Sequence, residues 1–108
     1  MSAQMKKEWN FIQLLTETSQ AQRLALLKTL SSTQLAVLCE ITLNLLQGNI
    51  EVSPAVIQYL KKHRSFLRKL ASKDIPQEKK KRAIRVKHKV ITYLLQSVKP
   101  VLEAYVTS

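Results

Sequence analysis

Apolar residues recur every three or four positions along most of the chain, the spacing that places them on one side of an α-helix. The pattern begins with Met5, Trp9, Ile12 and Leu15 and predicts a first helix over about 4–17. Glycine occurs once, and Asn-Gly and Asp-Gly, the dipeptides that favour tight β-hairpins, are absent from the sequence. The chain is therefore expected to be all-α.

Two serines, each followed three residues later by a glutamine, mark the next helix starts. Ser19 with Gln22 and Ser31 with Gln34 fit the capping box, in which each side chain bonds the other residue's backbone N–H. The helix after Ser31 has apolar residues on more than one side and is expected to be the most buried: Leu35, Val37, Leu38, Ile41, Leu45 and Leu46. Gly48 after it is typical of a left-handed helix end.

A fourth helix is predicted from Ser53, a good N-cap, and Pro54, which suits the first helical position. Its spacing of apolar residues continues to about residue 72. The opposite side of the same helix carries lysine and arginine almost exclusively. This predicts an amphipathic helix with a cationic polar side.

A fifth helix is predicted after Asp74, which with Gln77 fits another capping box. Its expected buried stripe is Ala83, Val86, Val90, Leu94 and Val98. Pro100 is expected to kink or end it, because proline has no N–H for the helical hydrogen bond. The expected fold is a compact single domain, 1–108, of five or six helices with a basic face on two of them.

The positive charge of the chain is concentrated in residues 61–89. This segment holds 13 of the 18 Lys and Arg residues and two of the seven acids, so its net charge of +11 equals that of the whole chain. The basic residues are Lys61, Lys62, Arg64, Arg68, Lys69, Lys73, Lys79, Lys80, Lys81, Arg82, Arg85, Lys87 and Lys89. Solvated helix faces usually mix both signs, because like charges one turn apart repel. The segment is therefore interpreted as a face that binds an anion.

Nucleic acid is the favoured anion, since lysine and arginine gain affinity by displacing counterions from its phosphates. The near absence of Asn and Gln from the segment indicates backbone contacts with little sequence specificity. Phe66, its one aromatic residue besides histidine, suits the core as well as base stacking, so recognition of single strands by stacking is less expected. Duplex DNA or structured RNA is the expected ligand, with duplex DNA favoured. The expected role is structural: neutralising or packaging a genome, or organising a nucleoprotein assembly.

Two other anionic partners remain open at this point. An acidic protein surface would also accept the basic segment, and association with a second copy is equally open. A basic amphipathic helix can lie on an anionic membrane. The membrane is less expected, because Leu94, Leu95 and Val98 beside the charge are needed for the core of so short a chain.

Residues that carry chemistry are few. Cys39 is the one cysteine and lies in an apolar run, which predicts a buried, inert thiol. With His63 and His88 it fits no zinc spacing. No carboxylate pair falls at a useful spacing, and there is no glycine loop to hold phosphate. We expect no enzymatic activity, no metal and no cofactor.

Signals for location are short. The N-terminal segment has no apolar signal-peptide core, so synthesis in the cytosol without secretion is expected. Lys-Lys-Lys-Arg at 79–82 is typical of nuclear-import signals, which suits a DNA-binding protein of the nucleus or of a virion.

About half of the chain, residues 36–82, resembles small basic proteins of Polinton-like and adinto-type DNA viruses and elements of animals. The resemblance rests on Leu38-Cys39-Glu40, Leu43-Asn44, Gly48-Asn49, Lys61-Lys62-His63, Leu67-Arg68-Lys69-Leu70 and the basic run 79–82. It implies a virus- or transposon-derived protein that associates with the packaged genome. Proteins of that type continue with a Gly-Gly-containing apolar segment, where this chain has AIRVKHKVITYLL.

Overall fold

The structure, a computed structural model, describes residues 3–107, so residues 1, 2 and 108 of the predicted 1–108 domain lie outside the described residues. Within 3–107 the chain forms a compact globule of eight α-helices without strands. The helices are α1 Ala3–Lys7, α2 Trp9–Glu17, α3 Gln20–Lys28, α4 Ser32–Leu46, α5 Pro54–Lys62, α6 Arg64–Ala71, α7 Gln77–Val86 and α8 His88–Thr107. The all-α prediction is confirmed.

The prediction of five or six helices is wrong, because three of the predicted helices are each interrupted at a single residue. Glu8 separates α1 from α2, His63 separates α5 from α6, and Lys87 separates α7 from α8. The backbone of each lies near the bridge region, between the α and β regions, with φ/ψ of −95°/13°, −114°/23° and −104°/34° respectively.

Backbone hydrogen bonds continue across these breaks, and none of the three residues at the breaks is proline or glycine. At His63 the N–H donates to the Leu60 carbonyl at 3.0 Å, a tightened turn, while its own carbonyl accepts from the Leu67 N–H at 3.0 Å. An unbroken helix through α5 and α6 would be roughly 27 Å long, as long as the whole molecule, which measures 31 × 28 × 27 Å. The bend turns the chain so that α6 lies along α4.

Helix starts that rest on local side-chain chemistry are confirmed. Both capping boxes form, at Ser19 and at Ser31. Ser53 accepts a hydrogen bond from the Val56 N–H, with Pro54 in the first turn. Gly48 has a φ of +76°, the left-handed conformation expected after α4.

Two predicted helix boundaries are wrong. Asp74 is not an N-cap, since α7 begins at Gln77 with Pro76 before it and no side-chain cap. A helix starting at Asp74 would need Ile75 in the α conformation, which the ring of the following proline disfavours. Pro100 does not end α8, which continues to Thr107. It lies on the exposed side of the helix, where water can reach the carbonyl that it leaves unbonded.

The core lies between three pairs of helices: α4 packs against α6, α2 against α8 and α3 against α7. Each helix except α5 contributes at least one buried apolar side chain. Leu38 is buried as predicted, but Leu45 is half-buried. Val86, predicted in the buried stripe, is 73% exposed, because the break at Lys87 removes it from the register of α8.

Candidate nucleic-acid interface

The structure distributes the predicted basic residues over four helices instead of two. α5 carries Lys61 and Lys62; α6 carries Arg64, Arg68 and Lys69; α7 carries Lys79, Lys80, Lys81, Arg82 and Arg85; α8 carries Lys89; Lys73 and Lys87 lie between helices. Lys80, Lys81 and Arg85 are half-buried and the others are exposed.

One open groove between α6 and α7 brings four of these cations together. Lys69 lines it from α6, Lys79 and Arg82 from α7, and Lys87 from the break that follows α7. The groove has a volume of about 560 Å³ and contains no acidic residue in its lining. We call it the basic groove.

Packing of α6 and α7 on the core sets the direction of the groove's side chains. α6 buries Phe66, Leu67 and Leu70, so Ser65 and Lys69, one turn apart, lie on its outer side and line the groove.

The same holds for α7, which buries Ile84. Lys79, Arg82 and Val86 follow each other at spacings of three and four residues and line the groove together. Opposing cations on the two helices therefore result from two separate packing contacts, that of α6 on α4 and that of α7 on α3.

The cations of the basic groove pair with no acid among residues 3–107. Within those residues, ion pairs join Lys81 to Glu78 at 3.6 Å and Lys99 to Glu17 at 2.8 Å. Glu78 is on α7 but does not line the groove. The groove therefore holds four positive charges that no described carboxylate neutralises.

Several cations outside residues 61–89 serve the fold instead. Arg23 donates to the carbonyls of Leu15 and Thr18, at 3.2 and 2.9 Å, and so ties α3 to the end of α2. Lys99 on α8 binds Glu17 on α2. Lys6 lies 5.2 Å from the centre of the Tyr105 ring. These contacts within the fold account for Arg23, Lys99 and Lys6 without any binding partner. The four cations of the basic groove form no ion pair within the described residues.

The remaining predicted residues do not all lie on this groove. Lys61 and Arg64 line a different groove, with the end of α4. Lys73 and Lys80 line a third depression, between α4, α6 and α7, and Lys89 lies beside Arg23 in a fourth. The predicted basic residues therefore do not form one surface, and four of them line the basic groove together.

Two groove residues were not identified from the sequence. Ser65 lies one turn before Lys69, and Val86 one turn after Arg82, so helical spacing from the cations is the signal that could have found them. Phe66 lines the groove but is 8% exposed and so belongs to the core. The apolar lining residues Phe66, Ala83 and Val86 offer contact area but no exposed aromatic face for stacking.

Cys39 is half-buried, not fully buried as predicted, and lines the third depression. Burial raises the pKa of its thiol, and the nearby charge of Lys80 opposes this in part. The raised pKa keeps the thiol protonated near neutral pH, which makes it a poor nucleophile. Elsewhere in residues 3–107, no three His, Cys, Asp or Glu side chains come together as a metal site.

Comparisons with protein-family models, with curated proteins and with solved structures found no match to this chain. In the described part of the chain no single helix is long and apolar enough to span a membrane. α3 and α4 reach that length and hydropathy only as a pair, with a bend of 113° between them.

Proposed function

We propose that this protein is a non-enzymatic nucleic-acid-binding protein that neutralises the phosphate backbone, with duplex DNA as its preferred ligand. Its role is structural, in packaging a genome or building a nucleoprotein assembly, in the nucleus or in a virion. The observation that carries the proposal is the basic groove, where three cations from two separately packed helices and Lys87 from the break after α7 line one open space without an ion pair among the described residues.

The chemistry of the groove suits phosphates better than base edges. Lysine and arginine bind phosphate as positively charged hydrogen-bond donors, and the Ser65 hydroxyl adds a neutral donor. Asn and Gln, the side chains that pair with adenine, are absent from the lining of the groove. Affinity that varies little with sequence is therefore expected.

The size of the molecule sets the length of DNA that one copy covers. At 3.4 Å per base pair, a globule of this diameter spans roughly eight or nine base pairs. With four groove cations each displacing about one counterion, log K should fall with log[salt] at a slope of about −3.6 or steeper. Exposed cations beside the groove can only steepen it.

The test is a fluorescence-anisotropy titration of a labelled DNA duplex of about 20 base pairs, between about 50 and 300 mM salt. The predicted slope corresponds to a loss of affinity of about 600-fold over this range. A second duplex of unrelated sequence should bind within about threefold of the first. Duplex RNA of the same length should bind more weakly than DNA.

Vesicles with anionic lipid serve as the control, because membrane binding also weakens in salt. Tight vesicle binding together with a DNA slope shallower than about −1 would contradict the proposal and favour a membrane surface. A difference of more than about tenfold between the two DNA sequences would contradict the backbone contacts proposed here.

A further inference from the structure

A second groove lies between the end of α4, the segment before α5, and the helices α5 and α6. Leu45 and Leu46 line it from α4, Ile57 and Leu60 from α5, and Leu67 closes its base. Its volume is about 460 Å³. We call it the apolar groove.

The apolar side of α5 is incompletely covered by the rest of the chain. No residue of α5 is fully buried, although it carries Val56, Ile57, Tyr59 and Leu60. Ile57 is 42% exposed and Leu46, which lines the same groove, is 40% exposed. Two large aliphatic side chains are thus presented together at one concave surface, which is more typical of an interaction site than single scattered apolar residues are.

The polar residues of this groove are cationic. Lys61 and Arg64 line it, both exposed, and neither forms an ion pair within residues 3–107. No acidic residue is in the lining. A ligand that fits presents apolar groups to Leu46 and Ile57 and anionic groups to Lys61 and Arg64.

We propose that the apolar groove docks an amphipathic helix of an acidic protein partner, one with leucine-like anchors at i, i+3, i+4 and i+7 and acidic residues beside them. A helix laid in a hydrophobic groove is a recurrent recognition mode, with affinity from the apolar anchors and orientation from the flanking charges. The site differs from the basic groove, so one copy could hold DNA and this partner together.

Charge decides against a second copy of this chain as the occupant. Each copy has a net charge of +11, so self-association would bring two strongly basic molecules together. An acidic partner gains from the same charge. This surface would therefore connect DNA-bound copies to a different, negatively charged component of an assembly.

The probe is a fluorescent peptide of about 16 residues, about four helical turns, with leucine at the four anchor positions and glutamate beside them. One control peptide has the same composition in an order that breaks the apolar stripe, and another has lysine in place of every glutamate. Anisotropy should show micromolar binding of the acidic amphipathic peptide, and at least tenfold weaker binding of both controls.

Variants of the protein locate the binding site. Ile57→Ser and Leu46→Ser should each weaken the peptide about tenfold without changing duplex DNA affinity. Both side chains are partly exposed, so the fold should be retained, which circular dichroism checks. The charge swap Lys61→Glu with Arg64→Glu should weaken the acidic peptide and strengthen the lysine peptide.

Three results would overturn the proposal. The first is no binding of the acidic peptide up to about 1 mM. The second is peptide binding that is unchanged in both serine variants. The third is that the serine variants bind anionic vesicles more weakly but bind the peptide as the wild type does, which would make the apolar groove a lipid-facing surface. Each leaves the DNA titration of the basic groove unaffected, so the two proposals can fail separately.

Discussion

Leu38 and Leu46 lie on the same helix, are the same residue type, and differ in burial, which allows a controlled test of the core. Both lie on α4, which with α6 forms the most extensive helix–helix contact of the described residues. Leu38 is 2% exposed, and Leu46, at the C-terminal end of α4, is 40% exposed. We predict that Leu38→Ala lowers the free energy of unfolding by about 2–5 kcal/mol and Leu46→Ala by less than about 1 kcal/mol.

The magnitude for Leu38 has two parts. Loss of the buried side chain removes about 1.5–3 kcal/mol of transfer free energy, and the cavity that remains accounts for the rest. The helix propensity of alanine changes both variants in the same direction and so largely cancels in their comparison. Against a total stability of about 5–15 kcal/mol for a domain of this size, Leu38→Ala should remain folded but measurably weakened.

The assay is urea unfolding followed by far-ultraviolet circular dichroism, with the midpoint and slope fitted for each variant. An unchanged slope with a lower midpoint is expected for Leu38→Ala. If Leu38→Ala costs less than about 1 kcal/mol, or no more than Leu46→Ala, then α4 is not the central helix and the arrangement of α6 beside it is wrong.

Three further predictions concern single positions. Because burial raises the pKa of the Cys39 thiol, it should react with a disulfide reagent at neutral pH more slowly than free cysteine does. In denaturant its rate should reach that of free cysteine. A folded protein that reacts as fast as free cysteine would contradict the burial of Cys39. Val86→Glu should change the free energy of unfolding by less than about 0.5 kcal/mol and weaken DNA binding at least tenfold. Val101→Glu, a control on α8, should weaken DNA binding much less. Equal effects of the two variants would place DNA outside the basic groove. Gly48→Ala should cost about 1 kcal/mol in urea unfolding because of the positive φ, and Gly48→Asn less; no cost for alanine would refute the left-handed turn.

Local chemistry made several helix starts predictable. Ser19, Ser31 and Ser53 each supply a hydroxyl to an N–H at the next helix start, and that signal lies within four residues of sequence. Gly48 marks the end of α4 for an equally local reason. The all-α fold follows from these signals together with the helical spacing of apolar residues.

The three helix breaks have no such signal. Glu8, His63 and Lys87 are neither proline nor glycine, and backbone hydrogen bonds continue through them, so the local sequence does not mark where these helices break. The error at Asp74 is different, since the proline two residues later was visible and its steric effect on Ile75 outweighs the capping pattern.

The basic site was predictable as a segment but not as a surface. Helical spacing places Lys79 and Arg82 on one side of α7, yet only the packing of α6 on α4 brings Lys69 opposite them. Residues as close in sequence as Lys80 and Arg82 point into different depressions. Charge composition alone therefore could not separate the four groove cations from the other nine.

The salt dependence of DNA binding in two charge-matched double variants tests the central claim most directly. Lys69→Ala with Lys79→Ala removes two cations of the basic groove, and Lys7→Ala with Lys28→Ala removes two exposed lysines outside it, so the net charge falls equally. The groove variant should reduce the slope of log K against log[salt] by about two, and the control should leave it within about 0.5 of wild type. Equal reductions in both variants would show that net charge alone attracts the DNA and would contradict a binding site in the basic groove.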